Sequence, residues 1–165
     1  MKLEIKILQE SDVTQSYVDW YSNEDVVRFS DNQYRSFSLE GQRSFVTKCF
    51  NDLNTDLYGI FDAKLHIGNI LITGLCSYHK CAEITYVIGE PKYWGKGVGY
   101  FAVSSLINLA KKKYKLNKLF ASVADENLGS IRVLEKNDFV IEGKRLNHLY
   151  YDGKFYNQLD FGLIL

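Results

Sequence analysis

The chain has 165 residues, of which 46% are hydrophobic and 24% charged, and its formal net charge at pH 7 is zero. That length and composition predict one globular domain with a substantial core. The zero net charge argues against nucleic acid or an anionic membrane as a partner, and no apolar run reaches the ~18 residues that cross a bilayer. The N-terminal stretch lacks the apolar core of a signal peptide, and the three cysteines show no CxxC spacing. We therefore expect a cytoplasmic protein with reduced thiols and no metal site.

The first half of the chain predicts one strand, then two helices, then three strands in succession. Alternating apolar and polar residues indicate the strands, and apolar residues three and four apart indicate the helices. Side chains that commonly cap helices mark where the two helices begin. In chain order we predict a strand at 3–8, a helix from Ser11 or Asp12 to about Asn23, a helix from Ser38 to about Leu53, strands at 57–63 and 66–78 joined through Lys64 and Leu65, and a strand at 82–89.

The second half alternates helices with strands and ends in a long hairpin. It predicts a helix from Gly97, a strand at 118–124, a short helix at 128–137 capped by Asp125 or Asn127, a strand beginning at 139–143, and a final hairpin that turns at Asp152 and Gly153. The order is β-α-α-β-β-β-α-β-α-β-β. This order predicts an α/β (α+β) fold with a mixed, mostly antiparallel sheet of about seven strands and about four flanking helices.

Three glycines alternate with other residues in YWGKGVGY (93–100), at the point where the fourth strand gives way to a helix. A Walker A loop requires Ser or Thr after the lysine, but Gly97 follows Lys96. A dinucleotide fold requires GxGxxG and an acidic residue about 20 positions later, and neither is present. Two readings remain: a plain glycine turn, or a phosphate cradle in which Gly97 and Gly99 let a ligand approach the main-chain amides of the helix N-terminus.

The strand AEITYVIG, the glycine loop, the helix, the next strand and the segment NLGSIRVLEKNDF follow one another between Ala82 and Phe139. This succession resembles the GNAT (Gcn5-related N-acetyltransferase) superfamily, whose phosphate motif is Q/R-x-x-G-x-G/A. Trp94 stands at the first motif position, which is similar to the RimJ/RimL-like branch. The spacing of Asn127, Ser130 and Phe139 is also usual in that branch.

The resemblance implies transfer of an acetyl group from acetyl-CoA to a primary amine, by direct attack in a ternary complex. It implies that the fourth and fifth strands splay apart, that pantetheine fills the gap, and that the Ile88 amide polarises the thioester carbonyl. Asn127 is the candidate partner for pantetheine. The implied cofactor-binding loop consists of Trp94, Gly95, Lys96, Gly97, Val98, Gly99 and Tyr100.

For the general base we favour Glu83, which lies 14 residues before Gly97, as does the base glutamate of the histone-acetyltransferase branch. His148 is the second candidate, because an imidazole titrates near neutral pH. The tyrosine that many GNAT enzymes use as an acid is replaced by Leu134, and Ser130 is the candidate that remains for protonating the thiolate. The base glutamate of RimL-like enzymes falls on Leu149, which argues against a ribosomal-protein substrate.

The sequence says least about the identity of the acceptor amine. Arg28 and Arg35 are positioned to bind an anionic amine such as a nucleotide-linked amino sugar. The acceptor is thus a small-molecule amine or a protein N-terminal α-amine, and the alternative is a catalytically inactive CoA-binding regulatory module. Four tyrosines, Tyr34, Tyr150, Tyr151 and Tyr156, flank the same region or form a plain apolar face. The aromatic C-terminal hairpin is a candidate homodimer interface.

Overall fold

The computed structural model describes all 165 residues as one seven-stranded sheet with helices on both faces. The strands, in chain order, are β1 (Leu3–Ile7), β2 (Thr55–Asp62), β3 (Leu65–Cys76), β4 (Cys81–Ile88), β5 (Lys118–Ala124), β6 (Val140–Tyr151) and β7 (Lys154–Ile164). In space their order is β1-β2-β3-β4-β5-β7-β6. Every neighbouring pair is antiparallel except β4 and β5, so the mixed, mostly antiparallel sheet is confirmed.

There are five α-helices: α1 (Gln15–Asp19), α2 (Glu24–Val27), α3 (Leu39–Asn51), α4 (Val98–Lys112) and α5 (Leu128–Lys136). The helix predicted from Ser11 or Asp12 to about Asn23 is wrong in its extent, because α1 begins only after Thr14 and gives way to a 3-10 turn at Trp20–Ser22. Thr14 accepts the Tyr17 amide and starts α1, and Asn23 accepts the Asp25 amide and starts α2. A capping side chain competes for the backbone amides that a continuous helix would need, so Asn23 keeps α2 separate from the turn before it.

The core has one cluster on each face of the sheet. On one face, α4 buries Val98, Ala102, Val103, Leu106 and Ala110 against the apolar residues of β2 to β5 and β7. On the other face, residues of α1 and α3 pack with Leu57 and Phe61 of β2. No helix of the protein is long and apolar enough to span a bilayer.

The two predicted hairpins form, and their turns obey local rules. Asp152 and Gly153 make the two-residue turn between β6 and β7, with φ of 47° and 74°, as a type I′ turn requires. The first hairpin turns at Ala63 and Lys64, one residue earlier than predicted, because Asp62 pairs directly with Leu65. Since β7 lies between β5 and β6, the C-terminal hairpin extends the sheet from β5 outward.

The pairing of β4 with β5 is short. The two strands are parallel neighbours only where Cys81, Ala82 and Glu83 face Lys118, Leu119 and Phe120. Beyond that point neither strand has a partner on its inner side, although each continues for several residues. The expected splay of the fourth and fifth strands is therefore present, and it opens a gap in the middle of the sheet.

Candidate active site

A cleft of about 1400 Å³ occupies the gap between β4 and β5 and extends to the N-termini of α4 and α5 on one side and to the α1–α3 segment on the other. The main chain of β4 faces into it. The Gly89 amide donates to the Ile67 carbonyl at 3.0 Å, and in the same ladder Ile88 lies opposite Gly68. Because bonded and non-bonded pairs alternate along an antiparallel ladder, the Ile88 N–H and C=O point away from β3 and into the gap.

Gly95 and Gly97 shape the loop that leads into α4. Their φ angles are 71° and 81°, in the left-handed region, and a Cβ on either would meet nothing within 4 Å. Gly97 is the N-cap of α4, and no side chain caps that end of the helix. The amides of Val98, Gly99 and Tyr100 have no carbonyl partner inside the helix. The loop is therefore a concave, open set of N–H groups at the positive end of a helix, which suits an anion.

Gly99 has a second role beside the one that its spacing suggests. A Cβ there would lie 3.0 Å from Val133 Cγ2, so this glycine lets α4 pack closely against α5. Gly99 also lines the cleft, so the expectation that it serves close approach of a ligand stays a prediction beside this role in helix packing. No local pattern indicates this contact, because Val133 is 34 residues away in the chain.

Trp94 and Lys96 differ in how far they take part in the cleft. The Trp94 indole Nε1–H donates to the Ile88 carbonyl at 2.8 Å, which fastens the glycine loop to the end of β4. Trp94 lines the cleft, whereas Lys96 is exposed and does not. The expected loop is thus brought to the cleft through its glycines, Trp94 and the start of α4, without the lysine side chain.

Ser130 and Asn127 line the cleft at the start of α5, together with a tyrosine that sequence reasoning missed. Asn127 Oδ1 accepts the Ser130 amide at 3.2 Å and so caps the helix. The Tyr86 hydroxyl lies 2.7 Å from Ser130 Oγ, with which it shares a hydrogen bond, and 3.2 Å from the Ser130 carbonyl. Burial raises the pKa of Tyr86 to about 12, so its hydroxyl keeps its proton at neutral pH. Leu134, at the usual tyrosine position, is fully buried in the core.

The two candidate bases do not line this cleft. Glu83 lines a separate cavity of about 600 Å³, beside the Lys118–Glu142 ion pair. It belongs to the part of β4 that still pairs with β5, so its side chain lies before the point where the gap opens. His148 is exposed on β6 and lines neither cavity. The structure therefore brings together the glycine loop, Ile88, Asn127 and Ser130, and leaves Glu83 and His148 apart from them.

The other half of the cleft is lined by exposed residues of both charges. Arg28 and Arg35 both reach it, and so do Asp25 and Asp31. The Tyr151 hydroxyl donates to Asp31 Oδ1 at 3.3 Å, and burial together with that carboxylate raises the pKa of Tyr151 to about 12. The remaining three tyrosines of the expected cluster, Tyr34, Tyr150 and Tyr156, do not line the cleft.

The residues of the cleft fit acetyl-CoA, because an open glycine loop at an uncapped helix N-terminus leads directly to a strand gap with free main-chain groups. Arg132 and Lys136 of α5 line the cleft on the side of the glycine loop and add positive charge for phosphate groups. No group of three or more His, Cys, Asp or Glu side chains is placed to hold a metal ion, and the three cysteines are unpaired.

A protein-family model described as "Acetyltransferase (GNAT) domain" matches residues 2–140 of the chain. The chain is 32% identical to the probable N-acetyltransferase YjcK of Bacillus subtilis (strain 168) over 131 residues, which is 76% of this chain and 70% of YjcK. Two solved structures share the fold. Spermidine N-acetyltransferase from Vibrio cholerae, in complex with CoA and spermine, has a TM-score of 0.86, 19% identity and coverage of 99% and 95% of the two chains. Ribosomal-protein-S5-alanine acetyltransferase from Vibrio fischeri has a TM-score of 0.87, 20% identity and coverage of 99% and 93%.

These findings do not favour the alternative of an inactive CoA-binding module, and the resemblance that the sequence motifs indicated is confirmed. The chain belongs to the GNAT acetyltransferase family and is an acetyl-CoA-dependent N-acetyltransferase.

Proposed function

We propose that the enzyme acetylates a primary amine by direct attack in a ternary complex, and that the acceptor is a small-molecule amine, such as an amino sugar or other metabolite, or a protein N-terminal α-amine. One observation carries this proposal. A single cleft runs from the glycine loop through the β4–β5 gap to the exposed residues of the α1–α3 side. Donor and acceptor therefore have separate entrances and one meeting point, so no acyl-enzyme is needed between them.

The proposed donor site consists mainly of main-chain groups. The amides of Val98, Gly99 and Tyr100 bind a pyrophosphate, with the dipole of α4 behind them. Acetyl-CoA, when bound, supplies the acetyl group as a reactive thioester. The Ile88 N–H, which points into the gap, donates to the thioester carbonyl oxygen and stabilises the negative charge that develops there during attack. Trp94 holds the neighbouring Ile88 carbonyl, which fixes the direction of that amide.

The proposed acid is Ser130, supported by Tyr86. Ser130 Oγ donates its proton to the leaving sulfur and regains one from water in the cleft, which has taken up the proton of the amine. The Tyr86 hydroxyl, 2.7 Å away, donates a hydrogen bond to Ser130 Oγ. The raised pKa of Tyr86 keeps that proton in place. For the proton of the amine we propose release to water at the open acceptor entrance, because neither Glu83 nor His148 lines the cleft.

The charges at the acceptor entrance support a substrate without a large charge of its own. Asp25 and Asp31 balance Arg28 and Arg35 there. A polycation would be favoured by an excess of carboxylates and a polyanion by an excess of guanidinium groups. This balance also weakens the sequence argument for an anionic acceptor, which counted only the arginines.

Calorimetric titration with acetyl-CoA, with NADH and ATP as controls, tests the donor site. We expect micromolar, one-to-one binding of acetyl-CoA alone. A panel of amines, followed by release of free thiol from acetyl-CoA, then tests transfer. Folded protein that binds acetyl-CoA but acetylates no amine in a broad panel would contradict the proposed function.

The homodimer also stays a proposal. β6 is the outer strand of the sheet, and Leu146, Tyr150 and Phe155 of the C-terminal hairpin are exposed. An unpaired strand edge with apolar side chains favours association with a second copy. Light scattering that finds only monomer at micromolar concentration would remove this proposal.

A further inference from the structure

Three polar atoms in the wall of the cleft are buried and lack any hydrogen-bond partner. They are the Tyr17 hydroxyl, Gln42 Oε1 and Asn69 Nδ2. The three residues are 0%, 4% and 5% exposed, and all three line the cleft on the acceptor side. Buried polar groups in folded proteins are nearly always paired, so unpaired ones in residues that line a cleft point to a ligand.

These atoms are held in place by the structure around them. The side-chain oxygen of Asn69, Oδ1, lies 2.8 Å from His66 Nε2. This contact anchors the side-chain amide at its oxygen and leaves its NH₂ group free. His66 packs against Tyr17, with ring centroids 5.3 Å apart. Burial lowers the pKa of His66, so the anchoring ring is neutral. The Tyr17 hydroxyl, the Tyr21 hydroxyl and the Asn69 amide lie close together, but none of them makes a hydrogen bond of ordinary length and angle with another.

Gln42 joins this cluster from α3. It lies one helical turn before Val46, on the buried face of the helix, and Val46 packs in the same apolar cluster as Tyr17. Residues four apart share a helix face, so the Gln42 side chain is directed toward the α1 side of the sheet. The cluster therefore draws one group from α1, one from α3 and one from β3.

The cluster lies beside the proposed reaction centre. Asn69 is directly opposite Val87 in the β3–β4 ladder, one residue before Ile88, whose amide faces the gap. Side chains of directly opposed residues share a face, so Asn69 lies with Val87 on the side away from α4. The acceptor approaches from that side, whereas the glycine loop lies at the N-terminus of α4.

We propose that Tyr17, Gln42 and Asn69 form a recognition subsite for a neutral hydrogen-bonding group, a hydroxyl or a carboxamide, carried by the acceptor close to its reacting amine. This inference rests on the proposed function and names its substrate class. Asn69 Nδ2 donates, Gln42 Oε1 accepts and the Tyr17 hydroxyl does either, so the matching group both donates and accepts. No carboxylate is part of the cluster, which excludes it as a subsite built for a second ammonium group.

The test compares amines matched in size. Ethanolamine is paired with propylamine, and glycinamide with isobutylamine, and kcat/KM is measured for each by thiol release. We expect wild-type enzyme to prefer the hydroxyl or carboxamide member of a pair. Tyr17→Phe, which removes the hydroxyl, and Gln42→Met, which replaces the carboxamide by a thioether of similar shape, should each reduce that preference about tenfold. The ratio between variant and wild type cancels the different basicities of the amines.

Tyr78→Phe is the matched control, because Tyr78 is 92% exposed and does not line the cleft, and it should leave the preference unchanged. Both subsite variants should melt at or above the wild-type temperature, since each removes an unpaired buried polar atom. A preference that stays within twofold of wild type in both variants would overturn the subsite while acetyl transfer stands. Tight acetyl-CoA binding without acetylation of any amine would instead overturn the proposed function, and this inference with it.

Discussion

Replacing Gly97 by alanine distinguishes a glycine loop that binds phosphate from one that serves only as a turn. Gly97 has a φ of 81° and nothing within 4 Å of the position of a Cβ. Alanine therefore fits sterically, but it must adopt a left-handed conformation, which costs about 1–2 kcal/mol. For a chain of this length that corresponds to a fall in melting temperature of very roughly 2–8 °C.

The effect on acetyl-CoA should be larger than the effect on the fold. The added methyl group would occupy the open space in front of the α4 amides, where a phosphate must come within hydrogen-bond distance. Loss of one charge-assisted hydrogen bond there weakens binding by about 1.5–3 kcal/mol, which is roughly 10-fold to 100-fold in Kd. Calorimetric titration measures this change directly.

Gly74→Ala is the matched control. Gly74 also has a left-handed φ, 65°, and open space around it, but it does not line the cleft. The two variants should lose similar stability, and only Gly97→Ala should lose affinity for acetyl-CoA. Equal affinity in the two variants would refute the assignment of the loop as a phosphate cradle, because the glycines would then serve the turn alone.

Three further predictions concern the chemistry. Ser130→Ala should lower kcat about 10-fold to 100-fold in the thiol-release assay and leave the Kd of acetyl-CoA nearly unchanged; an unchanged kcat would remove Ser130 as the acid. Glu83→Gln and His148→Ala should each stay within about twofold of wild-type kcat, and a loss of about tenfold or more in either would restore that residue as the base. Since burial raises the pKa of Tyr86 from 10.0 to about 12, its ionisation is opposed in the folded state. The stability that the protonated Tyr86 hydroxyl provides is therefore fully present below about pH 10. The free energy of unfolding falls by up to about 3 kcal/mol as the pH rises to about 12. Tyr86→Phe should flatten the dependence of urea unfolding on pH in that range.

Local signals account for the parts of the fold that the sequence predicted. Asp152 and Gly153 specify their hairpin turn by themselves, and Gly97 marks the start of α4 by its conformational freedom. The helix predicted from Ser11 or Asp12 failed because apolar spacing does not reveal which of several capping residues acts. Thr14 acts and delays the start of α1, a 3-10 turn at Trp20–Ser22 follows it, and Asn23 starts α2 beyond the predicted helix.

The candidate site was predictable where it depends on main-chain groups and unpredictable where it depends on contacts across the sheet. Tyr86 and Ser130 are 44 residues apart and meet only because the fold brings β4 and the start of α5 to the same cleft. Glu83 has a fitting offset from Gly97 along the chain. The offset does not show where β4 stops pairing with β5, however, and that point decides whether a β4 side chain reaches the cleft.

The splay of β4 and β5 connects the energetics of the fold with its activity. Beyond Glu83 the inner edges of both strands carry main-chain groups that no neighbouring strand pairs, and such groups are costly to leave without a partner. The protein itself satisfies one of them, since Trp94 donates to the Ile88 carbonyl. The others are left for whatever enters the gap, and an extended arm that carries amide groups, such as the pantetheine of CoA, can pair with them as a strand would. On this argument binding of acetyl-CoA completes the sheet, so it should raise the melting temperature and slow hydrogen exchange at the Ile88 amide. Acetyl-CoA binding that leaves exchange at Ile88 unchanged would show that the donor does not enter the gap.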